Sequence, residues 1–268
     1  MNIKDIYIII SMSINKKEVV IIKIGVFDSG IGGASVLKEL LKKLPNEEFL
    51  YLSDSKNNPY GDKELDELVT ICEKNVDYLL QNECKAIVIA CNTASVKTAE
   101  HLRKKYDNIP IFAIEPAYKM VHDYAYDKPT LVLATKGTIE SEEFGSLLKK
   151  YDNHQTYLIP CIGLADAIEE GNEDHINDVL NKYIDEYKGR VKNIVLGCTH
   201  YPFVTDKITE RLGDVQFFYG AEALANHVKT VLTENGMLKE SDHENGNIVF
   251  VDTSNSEFKK ERFWNIMK

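Results

Sequence analysis

One short pattern occurs twice in this chain and limits most of what the chain can become. Ile87-Val88-Ile89-Ala90-Cys91-Asn92-Thr93 and Ile194-Val195-Leu196-Gly197-Cys198-Thr199-His200 are each apolar and β-branched, end on a small residue, and then present a cysteine followed by small polar groups. A continuously apolar run of this kind suits a strand buried on both faces, as in parallel sheets flanked by helices. Each thiol then sits at the carboxyl tip of a buried strand, the edge where open α/β sheets hold ligands. The copies lie roughly 100 residues apart, the span of one small domain. Two equivalent reactive groups in two similar halves suit a reaction that is itself nearly symmetric.

The rest of the chain keeps the same rhythm. Ile24–Phe27, Phe49–Ser53, Ala86–Ala90, Pro110–Ile114, Thr130–Ala134, Thr156–Pro160, Asn193–Gly197, Gln216–Tyr219 and Ile248–Val251 read as strands. Between them, Ser35–Leu44, Glu64–Gln81 and Asp174–Tyr187 read as amphipathic helices. This βα alternation predicts mostly parallel sheets with right-handed crossovers. The internal echo predicts two such sheets, in two similar α/β domains. The first should comprise residues 23–116 and 221–268, and the second 117–220. Glu115-Pro116 marks the joint, because proline pushes the residue before it out of the helical region. Residues 1–22 form an extension of unknown role. Its apolar stretch Ile6–Ile10 is about a quarter of a membrane span. It has neither a basic leader nor a small-residue cleavage site, so it reads as a loose extension or an extra edge strand rather than a signal peptide. Glu240–Asn247 reads as a polar loop.

With 268 residues, 44% of them hydrophobic, the chain can bury a sizeable core. A net charge of −10 disfavours nucleic acid and anionic membranes as partners. It also leaves any anionic substrate to local dipoles. Five cysteines without C-x-x-C spacing argue against a disulfide framework and for a reduced, cytoplasmic setting.

Several segments could carry chemistry. Asp28-Ser29-Gly30-Ile31-Gly32-Gly33 joins the first strand to a helix, and its glycines permit a tight turn with free amides at the helix start, an anion site. The run nearly matches the dinucleotide fingerprint, with Asp54 in place of the ribose-binding acid. Against that reading, Asp28 would repel a pyrophosphate; it better suits an ammonium group or a thiol. Asp54 to Gly61 is either a plain turn or a segment that places Tyr60 and backbone amides in the cleft. Cys91 opens a helix, where the dipole and free amides favour the thiolate. His200, two residues after Cys198, can exchange a proton with it. No Cys/His cluster has zinc spacing, so no metal is expected. Cys72, Cys84 and Cys161 read as small buried core residues.

Phe27-Asp28-Ser29-Gly30-Ile31-Gly32-Gly33, Pro59-Tyr60-Gly61, Ala90-Cys91-Asn92-Thr93-Ala94-Ser95 and Gly197-Cys198-Thr199-His200-Tyr201-Pro202, in this order, resemble the glutamate racemases, cofactor-independent members of the aspartate/glutamate racemase superfamily. The resemblance runs from about Lys23 to the C-terminus. It implies an active site between two α/β domains, a homodimer, no cofactor, and conversion of L- to D-glutamate for peptidoglycan. It implies Cys91 and Cys198 as the acid/base pair, with Asp28 supporting Cys91, and Glu169 and His200 supporting Cys198. Substrate contacts would fall on Asp28, Ser29, Tyr60, Gly61, Asn92, Thr93, Thr199 and His200, and on Thr135 and Thr138. Glu169 is raised above an exposed helix-end charge by the resemblance alone.

Racemisation needs a base on one face of the α-carbon and an acid on the other, with the roles exchanged in reverse. Two thiols meet this demand, since a free thiol titrates near pH ~8.5 and helix N-termini can lower it toward working pH. Without a cofactor motif, the carbanion has only electrostatic support, from amides such as those of Ser29, Gly61, Asn92, Thr93 and Thr199. Alternatives are an aspartate racemase, a maleate isomerase, a non-catalytic amino-acid-binding protein, and a cysteine hydrolase using Cys91 and His200.

Overall fold

The computed structural model describes residues 23–152, 154–239 and 247–268. The expectations for residues 1–22, and for all but the last residue of the Glu240–Asn247 loop, lie outside the described residues. In the first part of the chain, β1 (Lys23–Asp28), α1 (Ala34–Lys43), β2 (Phe49–Ser53), α2 (Leu65–Gln81), β3 (Cys84–Ile89), α3 (Asn92–Lys105) and β4 (Ile111–Ala113) follow one another. Next come α4 (Tyr118–Ala125), β5 (Thr130–Ala134), α5 (Lys136–Ile139), α6 (Glu142–Tyr151), β6 (Thr156–Pro160), α7 (Leu164–Glu170), α8 (Glu173–Ile184), β7 (Asn193–Gly197), α9 (Thr205–Leu212) and β8 (Gln216–Phe218). The chain closes with α10 (Ala221–Glu234), β9 (Ile248–Asp252) and α11 (Glu257–Met267).

These strands form two parallel sheets. One has the order β4-β3-β1-β2-β9 and the other β6-β5-β7-β8. Every strand expected from the sequence is present, within two residues at either end. The chain returns from the second sheet to add β9 in register with β2, pairing Tyr51 with Phe250. Both sheets are covered on both faces, which is why their central strands are uniformly apolar. On the first sheet, Ile24, Val26 and Val88 face a core shared with α1 and α10, while Phe27, Ile87 and Ile89 face α2 and α3. On the second, Leu131, Leu133 and Ile194 face α7, α8 and α9, while Val132 and Val195 face α4 and α6.

Helix α11 is pinned to the first sheet by Phe263. Its ring is fully buried, 4.2 Å from Phe250 and 4.8 Å from Tyr51 between centroids. Truncating such a ring to alanine costs about 3–5 kcal/mol. No helix among the described residues is long and apolar enough to cross a membrane.

Candidate active site

In each sheet the strand order reverses beside the motif cysteine. Successive connections leave β1 toward β2 on one side, while β3 lies on its other side and leads to β4; β5 has β6 on one side and β7 on the other. Such switch points open a crevice at the carboxyl ends of the strands. The first crevice carries Asp28 at the end of β1 and Cys91 after β3; the second carries Thr135 after β5 and Cys198 after β7. The two crevices share one cavity of about 150 Å³. Cys91 and Cys198 both line it, with Ser29, Tyr60, Gly61, Asn92, Thr93, Thr135, Thr199 and His200.

The glycine turn does not wait for a phosphate. Its amides are occupied by the protein's own carboxylates: Gly33 N donates to Asp28 Oδ2 at 2.8 Å, and Ile31 N donates to Glu169 Oε2 at 3.0 Å. The glycines are needed because the second half of the chain lies against them. A Cβ on Gly30 would fall 2.6 Å from Glu169 Oε1, and one on Gly32 would run into the His200 ring. Asp54, the apparent ribose acid, instead accepts from Tyr60 Oη, Asn57, Asn75 and Thr253 within the first half. These contacts account for the fingerprint without a dinucleotide.

On the first wall, Cys91 caps the N-terminus of α3 with extended backbone, as its motif predicts. Its Sγ lies 4.0 Å from Ser29 Oγ. Burial, with the Asp28 carboxylate second, pushes the thiol well above its ordinary range, and a hydrogen bond from the Ala94 amide opposes this only in part. The expected lowering by the helix terminus is therefore corrected: at this buried position desolvation outweighs the hydrogen bond from the helix's first turn. Asp28 is fully buried behind the lining residues. Burial raises its pKa, while His200 and the Gly33 amide pull the other way. Its Oδ2 takes the Gly33 amide and, at 3.2 Å, the Thr199 hydroxyl; Oδ1 has no partner among the described residues.

On the second wall, Cys198 Sγ lies 3.8 Å from His200 Nδ1, and His200 Nε2 lies 2.7 Å from Glu169 Oε2. Glu169 lies in the last turn of α7 and meets Lys259 Nζ of α11 at 3.1 Å. Burial works against ionisation of Glu169, yet the hydrogen bond from His200 and the nearby Lys259 hold its carboxyl down at about 2. Burial likewise opposes a charge on His200, but hydrogen bonds to Cys198 and Glu169 carry it well above the usual histidine range. Thiol, imidazole, carboxylate and ammonium thus form one chain.

Other expected contacts are sorted by the geometry. Thr93 Oγ1 lies 2.8 Å from Thr135 Oγ1 and 3.2 Å from Thr138 Oγ1, joining α3 to α5 across the cleft. Thr138 is fully buried and absent from the cavity wall, and its hydroxyl meets those of Thr93 and Thr135. Tyr60 lines the cleft, but its hydroxyl donates to Asp54 and accepts from Asn75. Asn92 stands apart: both polar atoms of its side chain are buried without partners among the described residues. Cys161, read as a core residue, is buried but also lines the cavity. Asn58 and Asp166 were not singled out from the sequence. They line the cavity from opposite halves and join at 3.2 Å. Among the described residues, no group of three or more His, Cys, Asp or Glu side chains could hold a metal ion.

Fold and site together define a two-sheet α/β protein with one buried thiol on each wall of a shared cleft. The family model described as Asp/Glu/Hydantoin racemase matches residues 37–228. A glutamate racemase of Clostridium perfringens is 41% identical over 225 residues, covering 81% of this chain and 85% of that protein. The structure of glutamate racemase from Francisella tularensis in complex with D-glutamate superposes with a TM-score of 0.78 at 28% identity, over 92% of this chain and 94% of that one. A Bacillus anthracis glutamate racemase gives 0.79 at 30% identity, over 91% and 94%. The chain belongs to the Asp/Glu/Hydantoin racemase family.

Proposed function

We propose that this chain is a glutamate racemase, interconverting L- and D-glutamate by proton transfer between two thiols and so supplying D-glutamate for peptidoglycan. The observation that carries this reading is the pair of buried cysteines, Cys91 and Cys198, on opposing walls of one cavity. In one direction the thiolate of one cysteine takes the α-proton and becomes a thiol. The thiol opposite delivers its proton to the other face of the carbanion and becomes a thiolate. The reverse reaction exchanges the roles, and the proton inventory resets between turnovers.

Burial disfavours a free Cys91 thiolate, so substrate has to help create it. The substrate ammonium, attracted by the Asp28 carboxylate behind the cavity wall, supplies an opposing charge. On the other wall His200 serves as the proton partner of Cys198. Asn92, Ser29, Thr93, Thr135 and Thr199 bind the two carboxylates, and the unpartnered amide of Asn92 is the strongest candidate for a direct contact. Exclusion of water strengthens every such interaction as negative charge develops on the α-carbon. The domain limits 23–116 with 221–268, and 117–220, a homodimeric assembly and a cytoplasmic location complete the proposal.

Solvent deuterium exchange at the α-carbon tests substrate and chemistry together. Either enantiomer of glutamate should acquire deuterium as it is inverted, without added cofactor. Exchange with aspartate in preference to glutamate would favour the aspartate racemase alternative. An absence of exchange with both would overturn the reading.

A further inference from the structure

The C-terminal helix reaches the second wall of the cleft from the opposite half of the chain. Phe263 anchors α11 on the first sheet, yet two residues of this helix, one turn apart, grip α7 of the second half. Arg262 donates to the Ile168 carbonyl at 2.8 Å, and Lys259 Nζ sits 3.1 Å from Glu169 Oε1. The two carboxylate oxygens divide His200 and Lys259 between them. Oε2 faces His200 Nε2 at 2.7 Å, Oε1 faces Lys259, and the Ile31 amide donates to both, at 3.0 Å to Oε2 and 3.3 Å to Oε1. Glu169 is 4% exposed in its side chain and Lys259 20%, so solvent screens this pair weakly.

We propose that Lys259 is a positioning residue for the Cys198 half of the reaction: it keeps the Glu169 carboxylate ionised and aimed at His200 in both proton states of the imidazole. This inference rests on the racemase reading for its kinetic consequence, though not for its geometry. When the His200 imidazole passes a proton to Cys198, it becomes neutral, and a buried Glu169 with only neutral donors would itself compete for a proton. The ammonium of Lys259 removes that competition. It also offsets part of the carboxylate's pull on the imidazolium, so that proton release toward Cys198 remains possible. The charged or titratable groups facing His200 are Cys198, Glu169 and Asp28; those facing Glu169 are His200, Lys259, Asp28 and Tyr51. Lys259 is the one ammonium among these groups.

The full-length chain and its Lys259→Met, Lys259→Arg and Arg262→Met variants should be compared in two measurements. These are the pH profile of kcat for each glutamate enantiomer, and the titration of His200 followed by nitrogen-15 resonance of labelled histidine. Lys259→Met should raise the His200 midpoint by about one pH unit and lower kcat about ten-fold, as expected for loss of one nearby charge. Lys259→Arg should restore both. Arg262→Met should lower the melting temperature while leaving the His200 midpoint in place, since it breaks the helix contact and not the charge. An unchanged midpoint in Lys259→Met, or an equal shift in Arg262→Met, would overturn the proposal. Should Lys259→Met fail to fold, Lys259→Gln gives the same reading. If the unaltered protein racemises neither glutamate nor aspartate, the functional reading fails, and the histidine titration still decides the role of Lys259.

Discussion

Thr199, which directly follows Cys198, donates its hydroxyl to Asp28, the acid nearest Cys91 in charge and sequence motif, at 3.2 Å. The residue beside Cys198 is therefore tied to the carboxylate beside Cys91. The walls remain chemically unequal, since one thiol has a carboxylate beside it and the other an imidazole.

That inequality has a kinetic signature. The two enantiomers of glutamate have equal free energy in water, so any substitution must change kcat/KM by the same factor in both directions. Asp28→Asn should accordingly lower kcat/KM equally for L- and D-glutamate but change the two kcat values unequally. Initial-rate kinetics from each side measure this, and identical kcat losses would remove Asp28 from its place beside Cys91.

Loss of either thiol should be nearly complete. Cys91→Ser and Cys198→Ser should each reduce racemisation by about 10³-fold, the usual scale for a positioned acid or base. Circular dichroism of the glutamate pool follows the reaction directly. Wild-type rates in either variant are incompatible with a two-thiol mechanism.

The unpartnered amide of Asn92 predicts a binding effect. Asn92→Ala should raise KM about ten-fold and lower kcat less, as for loss of a hydrogen bond to a charged group made equally in ground and transition states. A fall confined to kcat would assign Asn92 to the carbanion instead.

Acid should weaken the second wall first. The carboxyl of Glu169, with an ordinary value of 4.5, is held at about 2 in the folded chain, so its contribution to stability is present above about pH 4.5 and lost as pH falls toward 2. The lowering corresponds to on the order of 3 kcal/mol. In denaturant titrations between pH 5 and pH 3, Glu169→Gln should be less stable at the upper end and show a flatter pH dependence. An unaltered slope would place the acid sensitivity elsewhere.

The glycine turn offers a steric test. Gly32→Ala would force a methyl group against the His200 ring and should destabilise the fold by about 1–3 kcal/mol. It should also displace the imidazole from Cys198, so activity should fall further than stability alone accounts for. Thermal melts alongside kcat at a temperature well below the melt separate the two effects.

Much of this arrangement is legible in the sequence because parallel sheets write themselves plainly. A strand buried on both faces must be apolar throughout, so β3 and β7 stand out, and whatever follows them lies at the ligand-binding edge. Cys91, Asn92, Thr93, Cys198, Thr199 and His200 are found in this way. Depth within the site is less visible. Asp28 and Thr138 belong to the right segments but sit one layer behind the cavity, because side-chain direction depends on packing between the halves. The glycines look like a phosphate loop since a turn that admits a ligand and one that admits another domain need the same missing side chain. Lys259 has no signal at all: within Phe258-Lys259-Lys260-Glu261-Arg262 it is one charge among several on an amphipathic helix, and only the docking of α11 selects it.

The turn at Gly30 and Gly32 is shaped as a mould for Glu169 and His200. The halves are consequently matched to each other as a lock is to its key. A hybrid that joins the first sheet of this chain to the second sheet of a distant relative would inherit all the catalytic side chains and still misplace them, unless the turn and the residues that press into it were transplanted together.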